Sequence, residues 1–348
     1  MGSMPRRLAA CAAFGALLPA AALAASPPRS WAQAQIALVT RQGLFAGTPA
    51  TFDADAPLTR GALEDALGRL TGGGVIPADG TASVSMEDLD RSLVDALDLG
   101  DSADRFDRAA RSAGLDPPPR FGTEVVARLL GLRLDHPAAH DDLELQPQQP
   151  ATRAEAAYSL AQILGFGSDE RHTSATTIPP DYTTSLPVER VNAAASAFAF
   201  PPLSVWQRRI IATAISYVGY PYVWGGTGDG TAGFDCSGFV WRVYKLTPYP
   251  DEGDLASALR GRTTMAMSGE VSRAERIGLN DLQAGDVLFF GKGPHSKPAQ
   301  IDHTAIYLGN GWLVQSSGEG VALAPLDGWY RSSFAWARRP LAEAQLTG

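Results

Sequence analysis

The stretch Gly233-Phe234-Asp235-Cys236-Ser237-Gly238-Phe239-Val240 decides how the C-terminal part of this chain reads. It holds the only cysteine outside the extreme N-terminus. Phe239, Val240, Val243 and Tyr244 follow at helical spacing, and Asp235 is a favoured N-cap type. The spacing predicts a helix whose first residue is Cys236. A thiol there meets the positive end of the helix dipole and backbone N–H groups that lack intrahelical partners, which favours thiolate. The same N–H groups could serve an oxyanion. The alternative is a buried structural cysteine, the common fate of a lone Cys.

Ahead of this stretch run Pro221-Tyr222-Val223-Trp224-Gly225-Gly226 and a Gly-rich loop with Gly-Asp-Gly character, which reads as a flexible surface loop rather than a phosphate cradle. Further upstream, Ser204 can cap a helix with apolar positions Val205, Trp206, Ile210, Ile211, Ala214, Ile215 and Val218. Its end falls near Gly219, with Pro221 just beyond. Downstream, residues 246–280 are polar and loop-like. Strands are then predicted at Asp286–Phe290, His303–Leu308, Trp312–Gln315, Val321–Leu323 and Phe334–Ala337. Helices first and an antiparallel sheet after them predict an α+β fold.

A cysteine nucleophile needs a base, and the base needs an orienting partner. Of five histidines, His136, His140 and His172 fall in the N-terminal region or a linker, and His295 sits in a polar Gly/Pro/Lys loop. His303 opens an apolar strand, where a histidine is otherwise unexpected, and is the preferred base. The alternative is a hydrogen-bonded structural histidine. Gln315 interrupts the apolar run Trp312-Leu313-Val314 and is the candidate orienting residue. A two-residue turn at Asn310-Gly311 would pair Ile306 with Gln315 and put the amide on the wrong face. A three-residue loop, Gly309 to Gly311, pairs Ala305 with Gln315 and makes Gln315 and His303 diagonal neighbours on one face. The triad therefore predicts the three-residue loop, and with it the Ala305–Gln315 register.

The 348 residues suit two domains. The net charge of −8 and the lack of a Lys/Arg-rich run argue against a nucleic-acid partner. Met1-Gly2-Ser3 ahead of Met4 reads as a cloning remnant. Arg6, Arg7 and the apolar stretch Leu8 to Leu23 read as a secretory signal, with cleavage expected after Ala24 or Ala25, or later at Ala32. An uncleaved N-terminal anchor is the alternative. Cleavage would leave no membrane span and one thiol, which cannot form an internal disulfide. A secreted or wall-associated protein is expected. The expected organisation is a signal at 1–25, a helical domain at 33–170, a linker at 171–203 and a second domain at 204–340. No His/Cys/Asp/Glu cluster has metal-ligand spacing, so neither metal nor cofactor is expected.

In the helical part, Thr59, Ser85 and Thr152 each head an apolar stripe at helical spacing. Thr152-Arg153-Ala154-Glu155-Ala156-Ala157-Tyr158 resembles the helix of an S-layer homology repeat, and Thr59-Arg60 matches more weakly. That resemblance implies attachment to a cell-wall polymer. The uneven spacing of the three segments argues against a regular array. A plain helical domain packed on the second domain is the alternative.

Pro221–Gly226, Asp235–Val240, Gly285-Asp286-Val287-Leu288-Phe289-Phe290 and His303–Gly309 occur in order, and together they resemble the NlpC-type family of papain-like bacterial cell-wall cysteine peptidases. The match covers about residues 204–340. It implies that Cys236 is the nucleophile, His303 the base and Gln315 the third polar residue, a position most often filled by His in the family. It also implies that Asp235 and Ser237 hold the free amine of a stem peptide and that Tyr222 lines the site. Arg262-Thr263-Thr264 resembles a loop beside the substrate, which adds Arg262 and Thr264. The implied activity is hydrolysis of peptidoglycan stem peptides, at the bond between D-glutamate and the diamino acid. Two alternatives stay open. One is a wall-binding scaffold with an inactive or gated site. The other is amidase or acyl-transfer chemistry on the same thiol.

Overall fold

The computed structural model describes residues 30–73, 80–134, 136, 138–165 and 186–346. The signal stretch, His172 and most of the first half of the expected linker lie outside them. No helix among the described residues is long and apolar enough to cross a membrane.

The C-terminal half has the expected α+β form. Its five strands are β1 (Val287–Phe290), β2 (His303–Gly309), β3 (Trp312–Ser317), β4 (Gly320–Pro325) and β5 (Phe334–Arg338). They form one antiparallel sheet in the order β4-β3-β2-β1-β5. Alternate residues of a strand face opposite ways. Val287, Phe289, Ile306 and Val314 accordingly join the main core. Leu288, Phe290, Ala305 and Leu313 join a smaller cluster with Tyr330 and Phe334 on the other face. Both faces are dry, which explains why the strands read as apolar runs rather than as clean alternations.

The N-terminal half contains α1 (Gln33–Arg41), α2 (Arg60–Leu70), α3 (Met86–Ala96), α4 (Gly100–Ser112), α5 (Phe121–Leu129) and α6 (Arg153–Gly165). The hydroxyls of Thr59, Ser85 and Thr152 cap α2, α3 and α6, as the pattern predicts. The extended residues before those caps carry backbone groups that must find partners, and they find one another. Leu58 N–H donates to Ala151 at 2.7 Å, Ala151 to Val84 at 2.8 Å, and Val84 to Leu58 at 2.9 Å. A second ring joins the same three segments in the opposite sense, with Arg60, Met86 and Arg153 donating to Ala82, Gln149 and Ala56. A third joins Gly61, Glu87 and Ala154 to Gly80, Pro147 and Ala54. Leu58, Val84 and Ala151 are wholly buried at the centre. The three segments thus meet in a cyclic pseudo-threefold, despite their uneven spacing. α4 and α5 account for part of the long interval between the second segment and the third.

Two regions read as loop carry helices. The linker holds α7 (Val188–Ala197), and Ser102 of α4 donates to Asn192 at 2.6 Å. Its aromatic exit then packs Phe198 between Phe106 and the sheet residue Trp312. α8 (Val205–Ser216) follows, with Ser204 and Gln207 forming a capping box. α9 (Cys236–Trp241) comes next and runs on into a wider turn at Arg242–Leu246. The polar stretch after it contains α10 (Leu255–Ala258) and α11 (Thr264–Gly269). α12 (Gly328–Ser333) and α13 (Pro340–Glu343) flank β5.

α5 joins the halves through two buried arginines. Arg120 donates to Val218 and Ser216, carbonyls left open at the end of α8. Arg128 donates to the carbonyls of Gly219 and Glu319. Its partner Glu124 is fully buried, and that burial raises its carboxyl to about 7. Arg128→Ala removes the cation nearest to Glu124 and leaves buried carbonyls unmet. The expected loss is about 3–5 kcal/mol of unfolding free energy in urea at pH 8. A loss under about 1 kcal/mol would mean that the two halves do not depend on this contact.

Candidate active site

The site is built on the start of α9. Asp235 is extended at φ −80° and ψ 171°, and its Oδ1 accepts the Gly238 N–H at 2.5 Å. Cys236 is therefore the first helical residue, as its sequence predicts. The Gly-rich loop folds tightly against this start and is not a loose surface loop. Phe234 N–H donates to Pro221, Val223 to Phe234, and Asp235 to Gly226. A Cβ at Gly233 would fall on the Pro221 carbonyl, and one at Gly238 on the Gly226 carbonyl, so both positions require glycine. Asp229 closes the loop by pairing with Arg242. The N-terminal half braces the same loop, since Trp224 N–H donates to Asp141 and Gln146 donates to Ala232 at 3.1 Å.

The Cys236 sulfur accepts from the backbone N–H groups of Ser237 and Thr304. Thr304 directly follows His303, so the thiol sits at the first residues of β2. The expected thiolate is not the resting form. Burial, and then the Asp235 carboxylate, push the thiol up to about 12, and the two N–H groups and Arg262 offset only part of this. A helix start favours a thiolate only while the sulfur keeps enough solvent, and here desolvation outweighs it.

His303 lies on the face of the smaller cluster. Its ring meets Phe290, Trp329 and Tyr330 at centroid distances of 5.8–6.1 Å. This burial lowers the imidazole to about 4, against the pull of its hydrogen bond with Gln315. The Gln315 amide nitrogen donates to Ser317 Oγ at 3.0 Å, which leaves its carbonyl oxygen for the imidazole. At neutral pH the pair is a neutral thiol and a neutral imidazole, not a preformed ion pair.

The register that joins His303 to Gln315 is the predicted one, with Ala305 opposite Gln315. The predicted three-residue loop does not form, because Gly309 pairs with Trp312. Asn310 and Gly311, with φ of 50° and 80°, form a two-residue turn. A bulge between Tyr307 and Gly309 then shifts the ladder by one residue. Gly309, at φ 98°, takes the backbone conformation this needs and packs on Pro201.

Of the expected substrate residues, Tyr222 is half-buried and bridges to Phe234 beside the nucleophile helix. Asp235 and Ser237 adjoin Cys236, but their polar atoms are spent within the protein. Ser237 Oγ donates to Asp235 Oδ1 at 3.0 Å, and Gly225 N–H donates to Oδ2 at 3.0 Å. Arg262 contacts both side chains. Thr264 is buried and donates to the Ile301 carbonyl at 3.1 Å, so it anchors the chain before β2 instead of presenting a hydroxyl. His295 and His140 are exposed, and His136 is buried between Glu144 and Glu155 in the N-terminal half. Trp329 and Tyr330, which pack on the His303 ring, are neighbours that motif reading misses. Two adjacent aromatics after Asp327-Gly328 are the signal that could have found them. The described residues contain no cluster able to hold a metal ion.

The NlpC/P60 family profile matches residues 219–339. The gamma-D-glutamyl-L-lysine dipeptidyl-peptidase of Bacillus subtilis (strain 168) is 35% identical over 121 residues, which cover 33% of this chain and 33% of that protein. The murein DD-endopeptidase MepH of Escherichia coli (strain K12) is 35% identical over 136 residues, covering 37% and 44%. The chain thus spans less than half of the length of these relatives. The solved NlpC/p60 domain of the peptidoglycan hydrolase SagA is 30% identical, covers 38% of this chain and 97% of that one, and has a TM-score of 0.29.

The His303 environment predicts its titration. Histidine NMR signals should show this ring neutral down to about pH 4, and Gln315→Ala should move the midpoint lower still, because the lost hydrogen bond favoured the charged ring. The unfolded chain would protonate this ring near pH 6.5, so it binds more protons than the native state between pH 6.5 and 4. Stability should therefore fall as pH drops through that window, by roughly 3 kcal/mol from this group. In His303→Gln that component of the slope should vanish from urea titrations.

Proposed function

With residues 219–339 forming an NlpC/P60 family domain, we propose that this protein is a cysteine peptidase acting on peptidoglycan stem peptides, at the bond between D-glutamate and the diamino acid. The observation that carries the reading is the Cys236 sulfur at the start of α9, held by the Thr304 N–H one residue beyond a His303 that is paired with Gln315. The names of relatives support a cell-wall hydrolase, although the two quoted above act on different bonds.

The neutral pair sets the mechanism. Cys236 transfers its proton to His303 as the sulfur attacks the glutamyl carbonyl carbon, so charge develops during the step instead of before it. The Cys236 N–H, the first of the helix, donates to the resulting oxyanion. Collapse breaks the C–N bond, and the amine of the diamino acid leaves with the proton from His303. Water then attacks the thioester, giving its proton to His303, and the thiol is restored. Gln315 holds the imidazole tautomer throughout. No cofactor enters, and Tyr222 lines the substrate side of this arrangement.

A second role concerns the N-terminal half. The resemblance of Thr152–Tyr158 to an S-layer homology helix supports attachment to a wall polymer, and the signal-like pattern of residues 1–25 supports an exported, wall-associated protein. A scaffold with an inactive site is the rival reading, and amidase or acyl-transfer chemistry on the same thiol is another.

Digestion of purified muropeptides by the full chain, read by mass spectrometry, tests the assignment. A fragment beginning at the diamino acid is expected, and Cys236→Ala should reduce its formation on the order of 10³-fold or more. Cleavage of D,D cross-links would replace the proposed bond, and loss of the peptide from the sugar would indicate an amidase. Intact stems after incubation with folded wild-type protein would leave the scaffold reading.

A further inference from the structure

Arg262 lies far from Cys236 in sequence, yet its guanidinium ends at the nucleophile's own cap. Nη1 donates to Ser237 Oγ at 2.7 Å and to Asp235 Oδ1 at 3.2 Å. Nη2 reaches Asp235 Oδ2 at 3.2 Å and the carbonyls of Gly225 and Gly226 at 3.1 and 3.3 Å. The fork thus spans both carboxylate oxygens and both sides of the turn that wraps α9. The pair is partly shielded, with side chains 30% and 14% exposed.

We propose that Arg262 is a positioning residue for Cys236, which neutralises the carboxylate that caps the nucleophile helix and ties that cap to the Gly225–Gly226 turn. This rests on Cys236 being the nucleophile. The chemical conflict it resolves is local. The helix needs an acceptor at its N-cap to place Cys236, and aspartate supplies one at the cost of a negative charge beside the sulfur. That charge opposes the thiolate which must develop during attack. A guanidinium on the far side of the same carboxylate cancels the charge while leaving the cap bond intact. The charged and titratable groups around the sulfur are Asp235 on its own element, Arg262 ahead of α11 and His303 on β2. Of these, Asp235 raises the thiol and Arg262 lowers it. The geometry also explains why Asp235 and Ser237 do not present free acceptors, since this guanidinium already fills the place of a bound cation.

The test reads the thiol directly, without substrate. Rates of Cys236 alkylation by iodoacetamide are measured against pH in the full chain. Arg262→Gln should move the profile to higher pH. It should slow alkylation at fixed pH by roughly threefold for every tenfold loss of thiolate, because the thiolate that remains is more nucleophilic. Adding Asp235→Asn, which keeps an N-cap acceptor, should restore the wild-type profile. Asp235→Asn alone should speed alkylation, and Arg262→Lys, which keeps the charge but not the fork, should fall between wild type and Arg262→Gln. A merely structural arginine would not be rescued by removing a carboxylate. An unchanged profile in Arg262→Gln, or a double variant no better than the single, overturns the proposal. If Arg262→Gln does not fold, the Asp235→Asn profile alone decides, and no acceleration there overturns it. Failure to cleave muropeptides would instead count against the peptidase reading and leave this result standing.

Discussion

The hydrogen bond from the Gly238 N–H to the Asp235 carboxylate is the contact on which the rest of the site depends. It starts α9 at Cys236 and so fixes where the sulfur emerges. The same carboxylate takes the Gly225 N–H, the Ser237 hydroxyl and the Arg262 guanidinium. One side chain thereby joins the nucleophile helix, the Gly-rich turn and the segment leading to α11. Glycines at 233 and 238 follow from it, because backbone must pass against backbone for all these bonds to form together.

His303 is buried and Cys236 half-buried, and the chemistry of the site follows from that. Burial raises the thiol and lowers the imidazole, so both partners sit uncharged. Neutral partners cost little to bury, whereas a preformed thiolate and imidazolium would need solvent or a strong counter-charge. Gln315 suits this arrangement better than a carboxylate would. An amide can orient the ring through one hydrogen bond without adding another buried charge, and Ser317 fixes which way the amide points.

Much of this could be read from the sequence, for reasons that are local. Asp235 before an apolar helical repeat marks the start of α9, and polar residues inside apolar strands mark His303 and Gln315. The Ala305–Gln315 register was legible because only one face serves a triad. Its actual source, a bulge beside a two-residue turn, was not, since several backbone routes reach the same pairing. Arg262 offered only a loose motif, and its partners come from two other segments, the Gly225–Gly226 turn and the start of α9. The protonation state was hidden for a similar reason. Helix-start chemistry is local, but desolvation is set by the whole packed neighbourhood, including the aromatics of α12. α7 lacked strong periodicity because it buries little of itself, chiefly Val191 and Ala195.

The three rings of backbone bonds at the N-terminal hub carry a kinetic consequence. Each ring closes only when the strand-like lead of α6 reaches those of α2 and α3, although α4 and α5 intervene along the chain. Contacts between segments so far apart are formed late, because the entropy of closing the loop is lost before any bond compensates it. Two segments alone would leave one set of donors and acceptors facing water. The hub therefore assembles as a single cooperative event once Ala151 and its neighbours are in place. The helices around it can flicker earlier, but they acquire fixed positions together.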